Sequence, residues 1–481
     1  MKCNTKKIII TNVALLFAGS AVNGQVNKNN ISPKPPNFVI IFIDDMGYGD
    51  IGPFGSRTNN TPHLNRMAEE GMRFTSFYSA ASVCTPSRAA LMTGCYPKRV
   101  GLAKGTNRNV LFPKDSHGLN PKEVTIADLL KQKHYKTACF GKWHLGDQPP
   151  FLPTKHGFDT FLGIPYSNDM WPLNPGAKGW KNFPPPLPVV KNEKVIDIVK
   201  NMDDQALLCK LFTDATTDFI KKNRDNPFFV YLPHAFIHQP RNSRKEFMDK
   251  AGEAKDLDEL KMRTTNGYQT AQRTKAQIEE VDWSVGEILK TIRELGLEKN
   301  TMVLFTSDNG GSQGCSNAPL RGGKGTTWEG GMREPAIFWW PGTIPANTSC
   351  DEITSAMDIM PTIAKLAGGE IPNDRKIDGK NIGPLLIGEK GAKTLYKAFF
   401  YYKEDKMEAV RSAEWKLTIR GLLYNLKNDI GEQHDVAKDN SEIVKQLSQY
   451  IAEMKNDLDK LENCRPPGIV ENPRYLEMEY K

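Results

Sequence analysis

The chain has 481 residues, of which 39% are hydrophobic and 25% charged, and a formal net charge of +8. That length is too great for one small core and fits a large domain joined to a smaller one, and the composition excludes global disorder. There is no long Lys/Arg run and the aromatics do not interleave with the basic residues. A nucleic-acid partner is therefore excluded, while a mildly basic surface suits an anionic substrate.

Lys2, Lys6 and Lys7 open the chain, Ile8 to Ala18 is mostly apolar, and Val22-Asn23-Gly24 forms a cleavage site before Gln25. This is the pattern of a secretory signal over residues 1–24, so the mature protein is expected to be secreted or periplasmic. The apolar run is too short to span a bilayer, and no other stretch is long enough, so no membrane span is expected. Loss of the three lysines with the signal leaves a charge of about +5.

Residues 25–36 read as a polar, Pro-containing linker. Asn37 to Ile43 is a continuous apolar run, as in a strand buried on both faces of a parallel sheet. Thr61 as N-cap and Pro62 at the first position predict a helix through Met72, and Arg73 to Tyr78 reads as a strand. Further on, helices are expected over 123–133, 212–223 and 270–295. Each leads into an apolar strand: Lys136 to Phe140, Pro227 to Leu232 and Thr301 to Thr306. Pro335 to Trp340 is one more strand, and the stretch 172–195, with Pro184-Pro-Pro186, reads as an irregular surface loop.

This alternation predicts an α/β fold with a large, mostly parallel sheet flanked by helices. After residue 372 the pattern changes. Ala398 to Tyr402, Glu408 to Val410, Glu414 to Ile419 and Leu423 to Leu426 are short strands separated by turns, followed by a charged helix near 441–462. The expected division is a main domain over 25–372 and a smaller domain, an antiparallel sheet plus helix, over 373–481. The eight cysteines are irregularly spaced without a CxxC pair, which argues against a zinc site and leaves room for one or two disulfides.

Polar clusters stand just past four of the predicted strands: Asp44-Asp45, Gly141 to His144, His234 to His238, and Asp308-Asn309. In open α/β sheets the site lies at the carboxyl ends of the strands. Asp44, Asp45, Asp308 and Asn309 offer hard oxygen ligands suited to Ca²⁺, with Mg²⁺ as the less favoured ion.

The run Cys84-Thr85-Pro86-Ser87-Arg88, closed by Thr93-Gly94, resembles the signature of type I, formylglycine-dependent sulfatases of the alkaline-phosphatase superfamily. Gly141-Lys142-Trp143-His144-Leu145-Gly146 matches a second block, and Arg321 to Arg333, containing Lys324, a third. Gly163 to Trp171 resembles the arylsulfatase branch. The resemblance is strong over residues 37–370 and weaker at Leu423 to Leu426 and Asp429 to Glu432. The charged segment 241–270 lacks a family block and is expected to shape the rim.

The resemblance implies hydrolysis of sulfate monoesters. A maturation enzyme would oxidise Cys84 to formylglycine, whose hydrate attacks sulfur. Residue 84 would join Asp44, Asp45, Asp308 and Asn309 around the calcium ion. Arg88 would hold the hydrate. Lys142 would bind the nucleophile or sulfate, and His144 would handle the proton of the second hydroxyl. His238 or Lys324 would protonate the leaving alcohol, both contacting substrate, and Ser167 would bind sulfate. His234 is expected to be structural. A sulfated glycan is the expected substrate, and Trp171 is either a sugar platform or core. A phosphate mono- or diesterase of the same superfamily and a non-catalytic glycan-binding relative are the competing readings.

Overall fold

The structure, a computed structural model, describes residues 34–170, 187–252 and 271–476. The predicted signal over 1–24, Trp171, Pro184 to Pro186 and the second half of the charged segment lie outside the described residues.

The strands in chain order are β1 (Asn37–Ile43), β2 (Met72–Tyr78), β3 (His117–Gly118), β4 (Lys136–Lys142), β5 (Thr160–Ile164), β6 (Leu187–Lys191), β7 (Lys194–Val199), β8 (Phe228–Pro233), β9 (Thr301–Ser307), β10 (Arg333–Trp339), β11 (Thr348–Cys350) and β12 (Thr354–Ser355). A second group follows: β13 (Phe399–Lys403), β14 (Lys406–Ser412), β15 (Trp415–Thr418), β16 (Leu423–Asn425) and β17 (Gly468–Ile469). The large sheet runs β11-β2-β10-β9-β1-β8-β4-β5-β6-β7, with β12 beside β2. Its centre, β9-β1-β8-β4-β5, is parallel throughout. Every residue of β1, β8 and β9 is buried, which is why these strands read as unbroken apolar runs. Because β9, β1, β8 and β4 are neighbours, their four polar carboxyl ends lie side by side.

The helix predicted through Met72 ends at Glu69, and Met72 begins β2. Thr61 does not cap it. Its hydroxyl accepts from Gly52 N at 2.9 Å, and Asp282 of the long helix Ala271–Glu294 accepts from His63 N and Leu64 N at 3.2 and 2.8 Å. The stretch read as an irregular loop ends in order, since β6 and β7 pair antiparallel at the sheet edge. Cys84, Cys95, Cys139, Cys209, Cys315, Cys350 and Cys464 are all free thiols, so no disulfide forms among the described residues.

β13 to β16 form the expected antiparallel meander, and Leu447 of the helix Ser441–Leu458 packs with Val410, Leu417 and Leu423. An aromatic layer joins this sheet to the main body. Phe399, Tyr401 and Tyr402 pack with Tyr78, Tyr96 and Ala90. Ala90 belongs to the helix Cys84–Thr93, so the small sheet backs the helix that begins at Cys84.

Candidate active site

All ten residues of the helix Cys84–Thr93 are buried. Gly94 ends it in the left-handed region at φ 66, donating its N–H to Ala90 O at 2.9 Å. A Cβ there would press to 3.0 Å on Ile377 and Met360, so both the backbone conformation and the space favour glycine. This fixes Cys84 at the helix start, over the ends of β1 and β9. Its Sγ lies 3.3 Å from Asp44 Oδ1 and 3.5 Å from Lys324 Nζ.

Arg88, one turn along, is wholly buried. Its guanidinium donates to Asp308 Oδ2 at 2.7 Å and to the carbonyl of Lys142 at 2.9 Å, and stands 3.4 Å from Asp44 Oδ1. It therefore reaches the carboxylate cluster from beneath, as a one-turn spacing allows. Asp45 takes φ 65, which turns the chain after β1 and faces its two oxygens to Lys324 Nζ at 2.7 and 2.8 Å. Asn309 Nδ2 donates to Asp45 Oδ1 at 2.8 Å. Gly310 lets this turn meet the loop that carries Lys324, because a Cβ on it would fall 1.9 Å from Gly330 O.

Lys142 Nζ pairs with Asp44 Oδ2 and donates to Ser167 Oγ at 3.1 Å. Strand alternation does not carry Lys142 and His144 to one side. β4 ends at Lys142, and His144 takes φ 57. His144 Nε2 lies 2.9 Å from the carbonyl of Leu111, and its Nδ1 is buried without a hydrogen-bond partner. Thr85 holds both sides of this contact: its hydroxyl donates to His144 O and accepts from Leu111 N, each at 3.1 Å. His238 Nε2 stands 3.6 Å from Asp45 Oδ2, while its Nδ1 lies 2.6 Å from the Gln239 carbonyl. His234 turns instead to Ser284 Oγ at 3.0 Å, away from these groups.

The structure thus brings Asp44, Asp45, Cys84, Arg88, Lys142, His144, Ser167, His238, Asp308, Asn309 and Lys324 into one centre. Thr85 and the Leu111 carbonyl were not assigned roles from sequence. Thr85 sits inside the signature, but a backbone carbonyl leaves no trace in residue type.

Charge in the centre is crowded. Ligand atoms of Asp44, Asp45, Cys84 and Asp308 all fall within 4.8 Å of one another. Burial pushes Asp308 up to about 7, with Asp44 adding to the effect. Burial also works against Asp44 and Asp45, but Lys142 for the first and Lys324 for the second hold their carboxyls below the usual range. Asn309 Oδ1 is a buried amide oxygen with no hydrogen-bond partner. Three carboxylates and an orphaned amide oxygen fit a hard divalent cation, which would satisfy that oxygen and relieve Asp308. Burial, reinforced by Asp44, drives the Cys84 thiol well above its ordinary value, so it is a protonated, poor nucleophile.

The side chains of Asp44, Arg88, Lys142 and Asp308 are 0% exposed, whereas those of His238 and Lys324 are 8% and 22% exposed. The centre therefore opens to solvent past Lys324 and His238.

A family profile described as Sulfatase matches residues 36–369, and one described as N-sulphoglucosamine sulphohydrolase, C-terminal, matches residues 323–463. N-acetylgalactosamine-6-sulfatase of Mus musculus is 37% identical over 429 residues, spanning 85% of this chain and 74% of the relative. Arylsulfatase A of Homo sapiens is 38% identical over 413 residues, spanning 80% and 74%. Among solved structures, Ps i-CgsB in complex with k-i-k-neocarrahexaose superposes with a TM-score of 0.75 at 29% identity, covering 90% of this chain and 94% of that one.

Proposed function

The chain belongs to the sulfatase family of sulfuric ester hydrolases, and on that premise we propose that it cleaves sulfate monoesters on a carbohydrate, using Cys84 after oxidation to formylglycine by a maturation enzyme. The observation that carries this reading is the setting of Cys84. A thiol held protonated at the focus of three carboxylates, two lysines and an arginine is badly placed to act as a thiol and well placed to be replaced by an oxygen nucleophile.

Formylglycine hydrate supplies two hydroxyls on one carbon, one to attack sulfur and one whose deprotonation expels sulfate by C–O cleavage and restores the aldehyde. A Ca²⁺ ion held by Asp44, Asp45, Asp308, the Asn309 amide oxygen and residue 84 would supply charge that lowers a hydroxyl pKa and draws electron density from sulfate oxygens. The chain's own groups do the rest. Arg88 and Lys142 hold residue 84 and the sulfate oxygens from the buried side, and Ser167, bonded to Lys142, adds a donor for sulfate. His144 is neutral, because burial, then Lys142 and Arg88, drive its pKa well down. Its Nε2 meets a carbonyl, which only accepts, so the proton sits on Nε2 and Nδ1 is the base for the second hydroxyl.

Of the two candidate acids, Lys324 is the one that carries its proton at neutral pH. Burial disfavours its ammonium, but Asp45, 2.7 Å away, outweighs that and keeps it charged. Burial and then Lys324 push His238 toward neutrality, and its Nδ1 hydrogen is committed to Gln239 O. His238 Nε2 therefore donates only as imidazolium, at acidic pH.

The glycan assignment draws on the relatives named for N-acetylgalactosamine 6-sulfate and on the carbohydrate bound in Ps i-CgsB. Export follows from the signal pattern over residues 1–24. The test is turnover of matched aryl sulfate and aryl phosphate, then of a panel of sulfated galactose and N-acetylgalactosamine units. Sulfate release is expected to dominate; faster phosphate release would replace this reading with a phosphoesterase.

A further inference from the structure

Lys416 is a lysine on β15 of the small sheet, wholly buried although no catalytic motif contains it. Its Nζ donates to Thr327 O at 2.8 Å and to Glu329 Oε1 at 3.1 Å, and forms an ion pair with Glu432 Oε1 at 2.7 Å. Thr327 and Glu329 belong to the loop that carries Lys324. Glu432 follows β16 and grips the same loop twice more. Its Oε2 accepts from Glu329 N at 2.7 Å, and its carbonyl accepts from Arg321 Nη1 at 2.6 Å. Gly330 N closes the loop on Arg321 O at 2.8 Å.

Glu329 is itself a hub. Tyr78 and Tyr401 hydroxyls donate to its two oxygens at 2.5 and 2.7 Å. Burial opposes its charge, but Lys416 first, then Arg411 and Arg333, hold it down at about 2. Lys416 is therefore the nearer of two cations, with Arg411 of β14 at 3.9 Å, that tie the small sheet to Glu329 of the catalytic loop. A buried lysine is costly unless paired, and removing one partner of such a network leaves the others uncompensated. Outside this clamp, the stretch around Lys324 is held by Lys324 N to Gly311 O at 3.2 Å, by Gly325 N to Ser82 O at 2.9 Å, by Thr327 Oγ1 to Glu408 Oε2 of β14 at 2.7 Å, and by the contacts of Lys324 with Asp45 and Cys84.

We propose that Lys416, together with Glu432, is a positioning pair through which the small sheet sets the reach of Lys324 toward the oxygen of the departing alcohol. The proposal rests on the sulfatase reading, in which Lys324 supplies charge or a proton to that oxygen. The alcohol oxygen of a sugar needs this help, whereas the oxygen of an acidic phenol does not. Loss of Lys324's placement should therefore slow sugar sulfates far more than aryl sulfates.

The test compares kcat/KM for nitrophenyl sulfate and for an N-acetylgalactosamine sulfate in Lys416→Met, Lys416→Arg, Glu432→Gln and Lys324→Ala, with melting and residue-84 oxidation measured for each. Lys416→Met is expected to lose about 10- to 100-fold more on the sugar sulfate than on the aryl sulfate. Lys416→Arg should recover most of that split, and Lys416→Met should add none of it in a Lys324→Ala background. If Lys416→Met fails to fold, Glu432→Gln, which keeps the side-chain volume, carries the same comparison. Equal losses on both substrates, or a split that persists without Lys324, would overturn the proposal. Wild-type turnover of nitrophenyl sulfate in the same assay shows separately whether the sulfatase reading holds.

Discussion

His144 and Leu111 are joined by one contact that determines a tautomer: Nε2 of the imidazole lies 2.9 Å from the Leu111 carbonyl. The opposite nitrogen, Nδ1, is buried and unpartnered among the described residues. A neutral ring with its hydrogen on Nε2 is a base at Nδ1. His144→Gln in oxidised enzyme should still release about one equivalent of alcohol per site, then turn over at least about 100-fold more slowly. Rapid-quench measurement of alcohol and sulfate checks this. Unchanged steady-state release of sulfate would remove His144 from the second step.

Asn309 and Asp308 make a prediction about metal. A cation that binds only the folded protein stabilises it by about 4 kcal/mol at a thousand times its dissociation constant. Calcium should therefore raise the melting temperature, and chelation should lower it and stop turnover. Magnesium should do so less well, because it demands a tighter octahedral shell. Asn309→Ala, which deletes the orphaned oxygen, should shrink the calcium shift. Identical melting with calcium and with chelator would contradict the site.

His238 predicts a pH dependence. Its pKa is depressed by burial and Lys324, so the imidazolium forms only below the ordinary histidine range. The deficit of His238→Ala relative to wild type on sugar sulfates should grow as pH falls from 7 toward 5 and be small above neutrality. A deficit independent of pH would mean that His238 serves packing and not proton transfer.

His156, packed against Trp143 with 5.8 Å between ring centroids, predicts a stability effect. Both ring nitrogens are buried without hydrogen-bond partners, and burial pushes its pKa down to about 3. The unfolded chain then binds a proton that the folded one refuses, so this residue's contribution falls as pH drops from about 6.5 to about 3. Between pH 8 and pH 4.5 the wild type should lose about 3 kcal/mol more than His156→Phe does, since only His156 differs between them. Denaturant titrations of both proteins at the two pH values read the difference directly. Parallel pH curves would contradict it.

Much of the centre was legible because buried parallel strands are unbroken apolar runs, and their polar ends stand out. Asp44, Lys142, His238 and Asp308 were all found that way, at the ends of β1, β4, β8 and β9. Local pattern failed where a distant group intervened. The helix from Pro62 is capped by Asp282, more than two hundred residues away, and Met72 has the apolar character of either element. His144 leaves the strand direction through a left-handed backbone that its residue type does not announce. Lys416 lies 87 residues from Glu329 in the chain, so their pairing had no sequence signal at all.

The account stands on residue 84, and its most direct test is one titration. Protein should be prepared with graded fractions of oxidised Cys84, each fraction measured by mass spectrometry of the peptide that contains it, and assayed for sulfate release with calcium present. Specific activity should rise in proportion to the oxidised fraction and extrapolate to zero for the unmodified thiol. Full activity in protein whose Cys84 remains a thiol would contradict the mechanism.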